Sequence, residues 1–342
     1  MQVNLSQQTL HFRKVQHTPW GEFDKHEMIV IHIMDDKGQH IGLGECAPLP
    51  QVSSDSNAYL RMSDVAKLIN SALNGGDHTE VLRPYPALLF ALESAMYDYQ
   101  HNSLLYETAF AHSQVGIPTN SEIFVTDYDD TLSQVKQRLL HGIHSVTLQV
   151  CPQSLDDTIK VVEKLRSRFS ASTLELRINA NGTLSSNDIM PFLQEIVKYD
   201  VQSMAQPIKR YQWNDMAGIC SKSPLPIVLD DELVGVNTLQ EKCTLLDTVR
   251  PQLITVRPML HGGISGSIEW VSEARKRDIG VYIGSAFEGN IGLRNVALLA
   301  ACVNGGAVCM PQPITSESLY TDNIEMDIEF RKGKLWRCEV DE

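Results

Sequence analysis

The sequence predicts an α/β fold, a (β/α)-barrel preceded by a separate α+β unit. Three observations carry that reading. From about Glu122 onward, short apolar strand candidates alternate with helical stretches, at Ser145–Val150, Leu174–Asn179, Val201–Ala205, Ile227–Asp230, Leu253–Arg257 and Val281–Ser285. Successive strands lie roughly 25 to 30 residues apart, room for one strand, one helix and two loops. No G-x-G-x-x-G follows the first of them, which favours a closed barrel over an open dinucleotide-binding sheet. The chain before them has another texture, strands first and helices after, as in an α+β unit.

In chain order, Glu27–Met34 is a β-branched run, Asp35-Asp36-Lys37-Gly38 a turn and His40–Glu45 the returning strand. Helical patterns follow at Asp55–Asn74 and Pro84–Tyr99. Within the barrel, helices are expected at Leu155–Ser170, Ser186–Tyr199 and Ser265–Lys276, with Ile159, Val162 and Leu165 of the first on one face. A last strand pair, Ile324–Phe330 and Lys334–Val340, is expected to pack back on the N-terminal unit. The implied division is an N-terminal domain of residues 1–110, completed by 315–342, and a barrel of residues 111–314.

Composition narrows the partners. A chain of 342 residues with 43% hydrophobic and 21% charged side chains can bury a sizeable core. A net charge of −13 argues against nucleic acid and anionic membranes, which need a basic surface. The longest apolar runs, such as Val296–Val303, are too short to span a bilayer. The 7 cysteines are scattered, without C-x-x-C or zinc-ligand spacing, and Met1–Leu10 has no apolar signal segment. Together these lead us to expect a reducing cytoplasm. Oligomeric state is not readable from the sequence.

Reactive residues of such barrels sit at the C-terminal strand ends. Here these are Thr147 and Gln149, Asn179 and Asn181, Ala205 and Gln206, Asp230-Asp231-Glu232, Arg257, and Ser285 with Glu288. The run TLELRI ends abruptly in the amides of Asn179-Ala180-Asn181-Gly182, where many enzymes keep a carboxylate.

The segments RINANG, MAQPIK, PLPIVLDDEL, RPQLITVRPMLHGGISGS and GSAFEGNIGL, in this order and spacing, resemble the enolase superfamily, most nearly its o-succinylbenzoate synthases of menaquinone biosynthesis. GLGECAPLP, Gly42–Pro50, is similar to the loop that the family's capping domain places over its active site. The resemblance implies a modified TIM barrel, (β/α)7β, under an α+β capping domain. It also implies a carbon–oxygen lyase of the muconate lactonizing type. In that chemistry a K-x-K lysine removes a proton beside a carboxylate. A magnesium ion on three carboxylates and a further lysine then stabilise the enediolate, because only concentrated positive charge makes such an anion accessible.

Carried over by position, the resemblance puts Thr147 and Gln149 where the lysine pair stands and Arg257 where the further lysine stands. It puts Asn179 and Ala205 at two metal-ligand positions and retains only Asp230. Thr147 and Gln149 do not ionise near neutral pH, and Arg257 stays protonated. Loss of the base alone costs roughly 10²- to 10⁴-fold. Asp230 with Asn179 could hold at most a weak magnesium ion. The expectation is therefore a synthase-like pseudoenzyme, inactive or strongly diverged, that could still bind a small carboxylate. Two alternatives stay open: a working synthase with an unorthodox site around Asp230 and Arg257, and a non-enzymatic scaffold.

Several residues have two readings. Asp230-Asp231-Glu232 is either a relic metal site or the acidic start of a helix. Arg257 is expected to form an ion pair with Asp230, since an unpaired charge there would be costly to bury. Gly262 and Gly263 either offer backbone N–H groups to a ligand carboxylate or form a tight turn. Ser285 is a substrate-side candidate, Glu288 a loop-holding residue, and His141 and His144 are ordinary surface residues. Trp20 falls where relatives place a substrate-binding arginine, which suggests a changed ligand.

Overall fold

The structure is a computed structural model and describes residues 2–18, 21–38, 41–55, 62–100, 104–306, 308 and 310–338. Trp20 and the proposed strand and helix starts at His40 and residues 56–61 lie outside the described residues.

The N-terminal unit is an antiparallel sheet in the order β1 (Gln2–Thr18), β2 (Gly21–Met34), β3 (Ile41–Cys46), backed by α1 (Met62–Asn74), α2 (His78–Leu82) and α3 (Pro86–Gln100). The 17-residue β1 was not anticipated, because its polar-rich sequence QVNLSQQTLHFRKVQHT hides the alternation. α3 is buried almost all round, from Pro86 to Ala95, as expected of a helix packed on two sides. It lies between β3 and two barrel helices, α9 (Pro258–His261) and α10 (Gly263–Arg275). Glycines on β3 make that packing possible. A Cβ at Gly44 would fall 1.8 Å from the Ala91 carbonyl oxygen, and one at Gly42 would fall 2.2 Å from that of Ala95.

After β4 (Ile117–Pro118), parallel strands follow in sequence order: β5 (Ser121–Phe124), β6 (Ser145–Gln149), β7 (Glu175–Asn179), β8 (Ser203–Ala205), β9 (Ile227–Leu229), β10 (Leu253–Val256) and β11 (Gly280–Ile283). The intervening helices are α4 (Tyr128–Leu140), α5 (Leu155–Arg166), α6 (Ser186–Ile196), α7 (Trp213–Lys222), α8 (Leu239–Val249), α9 and α10. α11 (Asn290–Val303) follows β11. On α5 the core face is Thr158, Val161, Val162 and Leu165, with Ile159 half-buried at its edge.

Gln312 and Pro313 fill the gap between the two outer strands. Asn120 N–H donates to the Gln312 carbonyl at 2.8 Å. On the other side Ile283 N–H donates to Gln312 Oε1 at 2.8 Å and Ser285 N–H to the Pro313 carbonyl at 3.0 Å. These backbone and amide contacts do what an eighth strand would do.

The C-terminal segment meets the barrel as well as the N-terminal unit. Its strands are β12 (Ile328–Arg331) and β13 (Lys334–Arg337); β13 pairs with β4 at the N-terminal end of the barrel, opposite the mouth, and its Arg337 lies over the Tyr106 ring. The preceding stretch also joins the N-terminal unit: Arg13 N–H donates to the Leu319 carbonyl at 2.8 Å, and Thr321 N–H to that of His11 at 2.9 Å. Among the described residues, no helix is long and apolar enough to cross a membrane.

Candidate active site at the barrel mouth

Inward-facing positions at the strand ends converge on one cavity, lined by Thr147, Asn179, Ala205, Asp230 and Arg257 together with Glu122. It measures about 30 Å³, enough for one or two waters and far below the several hundred Å³ of a typical small-molecule pocket. The strand register explains the convergence, since Gln149 lies opposite Asn179, and Asn179 opposite Ala205.

At its centre Arg257 and Asp230 form a bidentate pair. Nε donates to Oδ1 at 2.8 Å and Nη2 to Oδ2 at 2.7 Å. Arg257 Nη1 donates to the Ser285 carbonyl, and Nη2 stands 3.7 Å from Glu122. Burial works against the Arg257 charge, but Asp230 and then Glu122 more than restore it, so the guanidinium is held protonated.

Thr147 and Gln149, expected from the resemblance at the positions of the lysine pair, both have their side chains engaged within the protein. Thr147 Oγ1 donates to Asn120 Oδ1 at 2.8 Å. Gln149 Nε2 donates to Glu122, and its Oε1 accepts from Asn181 Nδ2 at 3.1 Å. Asn179 Oδ1 accepts the Asn181 N–H at 2.9 Å. A continuous chain, Asn181–Gln149–Glu122–Arg257–Asp230, thus crosses the mouth. Beneath it Arg177 pairs with Glu175 at 2.6 Å and lies 4.2 Å over the Tyr282 ring.

Glu122, Asn120 and the Arg177–Glu175 pair were not singled out from sequence. The alternation in Asn120-Ser121-Glu122-Ile123 is the signal that could have found the first two. The Glu122 side chain is 36% exposed; desolvation raises its carboxyl while Arg257 pulls the other way.

The acidic run has divided roles. Glu232 accepts from Gln206 Nε2 at 3.0 Å and from Tyr211 N–H at 2.6 Å, and Gln206 Oε1 accepts the N–H groups of Asp230 and Glu232. The run is the acidic start of a helix only in a short form, a three-residue 3₁₀ turn, Asp231–Leu233, with Asp230 at its N-cap. Burial, and then the adjacent Asp230 charge, raise the Asp231 carboxyl.

Gly262 and Gly263 have φ of 106° and 70° and form the turn into α10. The carboxylate that meets this turn is the protein's own. Glu93 Oε2 accepts the Ile264 N–H at 2.6 Å and the Ser265 N–H at 3.2 Å, the two amides that follow the glycines. His261 is fully buried, and its Nδ1 accepts the Arg257 N–H at 2.9 Å. Ser285 Oγ accepts the Thr315 N–H at 2.9 Å, so its hydroxyl too is engaged. His141 is exposed, as expected. Among the described residues, no three His, Cys, Asp or Glu side chains gather as a metal-binding group.

Comparison with known proteins places this geometry. Residues 130–339 match the model of the family described as Enolase C-terminal domain-like. The o-succinylbenzoate synthase of Desulfotalea psychrophila is 32% identical over 253 residues, covering 73% of this chain and 68% of the relative. An L-amino acid-D/L-Glu epimerase of Sulfurimonas denitrificans is 22% identical, covering 80% of each. The crystal structure of MenC from Desulfotalea psychrophila superposes with a TM-score of 0.81 at 26% identity, covering 98% of this chain and 99% of that one. A dipeptide epimerase from Enterococcus faecalis, in complex with Mg and the dipeptide L-Leu-L-Tyr, superposes at 0.80 with 17% identity, covering 99% and 96%. With a family match over most of its length and a relative of this similarity, the chain belongs to the enolase superfamily and is o-succinylbenzoate synthase-like.

Proposed function

We propose that this chain is an o-succinylbenzoate synthase-like protein that no longer carries out metal-assisted proton abstraction. The observation that carries the reading is that every substituted position with a polar side chain is engaged within the protein. A general base must reach the proton it removes, and neither Thr147 nor Gln149 has a titratable group. Magnesium wants near-octahedral oxygen ligands, including one or two carboxylates. The residues present do not fit it. Both Asp230 oxygens accept from Arg257, Asn179 Oδ1 accepts from the backbone, and Ala205 supplies nothing.

Recognition of a small carboxylate is disfavoured on the same grounds, since Arg257 already faces Asp230 and Glu122. A spectrophotometric assay with the cyclohexadiene substrate of the synthases, with and without magnesium, tests the proposal. No turnover in either condition is expected; magnesium-dependent turnover would overturn it.

A further inference from the structure

A second group of buried ionisable side chains lies in the seam between the N-terminal sheet and the barrel. Glu45, on β3, is fully buried. Its Oε1 accepts the Gly289 N–H at 2.6 Å and its Oε2 the Gly292 N–H at 2.8 Å. These amides open α11, so a carboxyl of one domain caps a helix of the other. Glu288, just before that helix, is 2% exposed. Its Oε2 accepts the Ala286 N–H at 2.5 Å, while its Oε1 is buried with no hydrogen-bond partner.

The two acids are neighbours. A Cβ on Gly292 would stand 2.8 Å from Glu288 Cγ and 3.2 Å from the Glu45 carboxyl carbon. Around them stand Leu10 and Asn323, which approach Gly289, and the Tyr320 hydroxyl, which donates to the Phe287 carbonyl at 2.6 Å. His26 Nδ1 lies 3.1 Å from that hydroxyl, with Glu27 next to it in the chain. Among the described residues neither acid has an ion pair, and Arg257 acts on Glu288 only at longer range.

Two carboxylates so placed cannot both ionise cheaply. Burial raises Glu45 to about 7, with Glu288 adding to the effect. Burial also raises Glu288 to about 7, with Arg257 opposing. Burial lowers His26, so it stays neutral and supplies no counter-charge, and burial likewise keeps Tyr320 a phenol.

We propose that this seam is a proton-operated clamp between the two domains. With a proton held between Glu45 and Glu288 the N-terminal sheet grips the start of α11. When the proton leaves, repulsion loosens that grip and frees residues 285–289. The loosening reaches the barrel mouth, because the Ser285 carbonyl accepts from Arg257. The clamp operates whether or not the barrel turns over a substrate.

Residue-resolved hydrogen exchange on the full chain, corrected for the chemical rate at each pH, tests it. An acid that moves from 4.5 when open to about 7 when clamped makes opening about twentyfold more frequent between pH 5.5 and 7.5. Protection of the Ala286, Gly289 and Gly292 amides should fall by about that factor, while amides within α5 should keep theirs. Glu288→Gln removes one of the two charges with little change of shape and should make the fall smaller without abolishing it, because burial alone still raises Glu45. Protection that is level in the wild type, or that falls equally in Glu288→Gln, overturns the clamp. Should Glu288→Gln not fold, the wild type decides alone: a fall confined to residues 286–292 supports the clamp, and a uniform fall or none overturns it.

Discussion

Arg257 grips Asp230 with two parallel hydrogen bonds, Nε to Oδ1 at 2.8 Å and Nη2 to Oδ2 at 2.7 Å. The two side chains are 15% and 7% exposed. A guanidinium fork matches a carboxylate in this way where a lysine would not. The pair places a fixed positive charge beside Asp230, the position at which we propose that the family's metal-ligand pattern is retained.

Breaking this pair from one side leaves a buried charge. Asp230→Ala or Arg257→Met alone should destabilise the fold by roughly 3 to 5 kcal/mol. The double variant should cost well below the sum. Urea denaturation of the four proteins checks this, and purely additive losses would show that the pair is not coupled.

His261 should remain a neutral imidazole in mild acid. Burial lowers it to about 3, helped by the Arg257 and Lys242 charges against the pull of Asp230. Its folded value lies below the ordinary 6.5, so its contribution to stability is present above pH 6.5 and is lost as pH falls toward 3. Nitrogen NMR at pH 5 should find it uncharged; a midpoint near 6.5 would contradict the buried geometry.

Gly44 should be intolerant of a side chain. A Cβ there would stand 1.8 Å from a backbone oxygen of α3, so β3 or α3 must shift. Gly44→Ala should cost at least about 1 to 3 kcal/mol, as overpacking does. A melting temperature within a degree of the wild type would rule this out.

Restoring only the base should not restore the family's chemistry. In Gln149→Lys the new ammonium would sit beside Glu122, with no cation to hold an enediolate. The expected turnover of the synthase substrate is nil, and a measurable rate would mean that Arg257 can serve as that cation.

The barrel was legible because strand and helix periods alternate at near-constant spacing, and the Asp230–Arg257 pairing followed from charge at adjacent strand ends. β1 was not legible, because its hydrophobic alternation is broken by Gln7, Gln8 and Arg13. Glu122 was missed because β5 is only four residues long. The tight turn at Gly262–Gly263 was legible from its glycines, but Glu93, which takes the next two amides, was not, because it is some 170 residues away in the chain (separations of 171 and 172).

The central claim is that a guanidinium–carboxylate pair stands where the family holds its metal. A crystal structure of the wild-type chain grown in millimolar Mg²⁺ tests it most directly. The account predicts Arg257 bidentate on Asp230 and no ion between Asn179 and Asp230. An octahedral ion on Asp230, with metal–oxygen distances of about 2.1 Å and Arg257 swung aside, would contradict it.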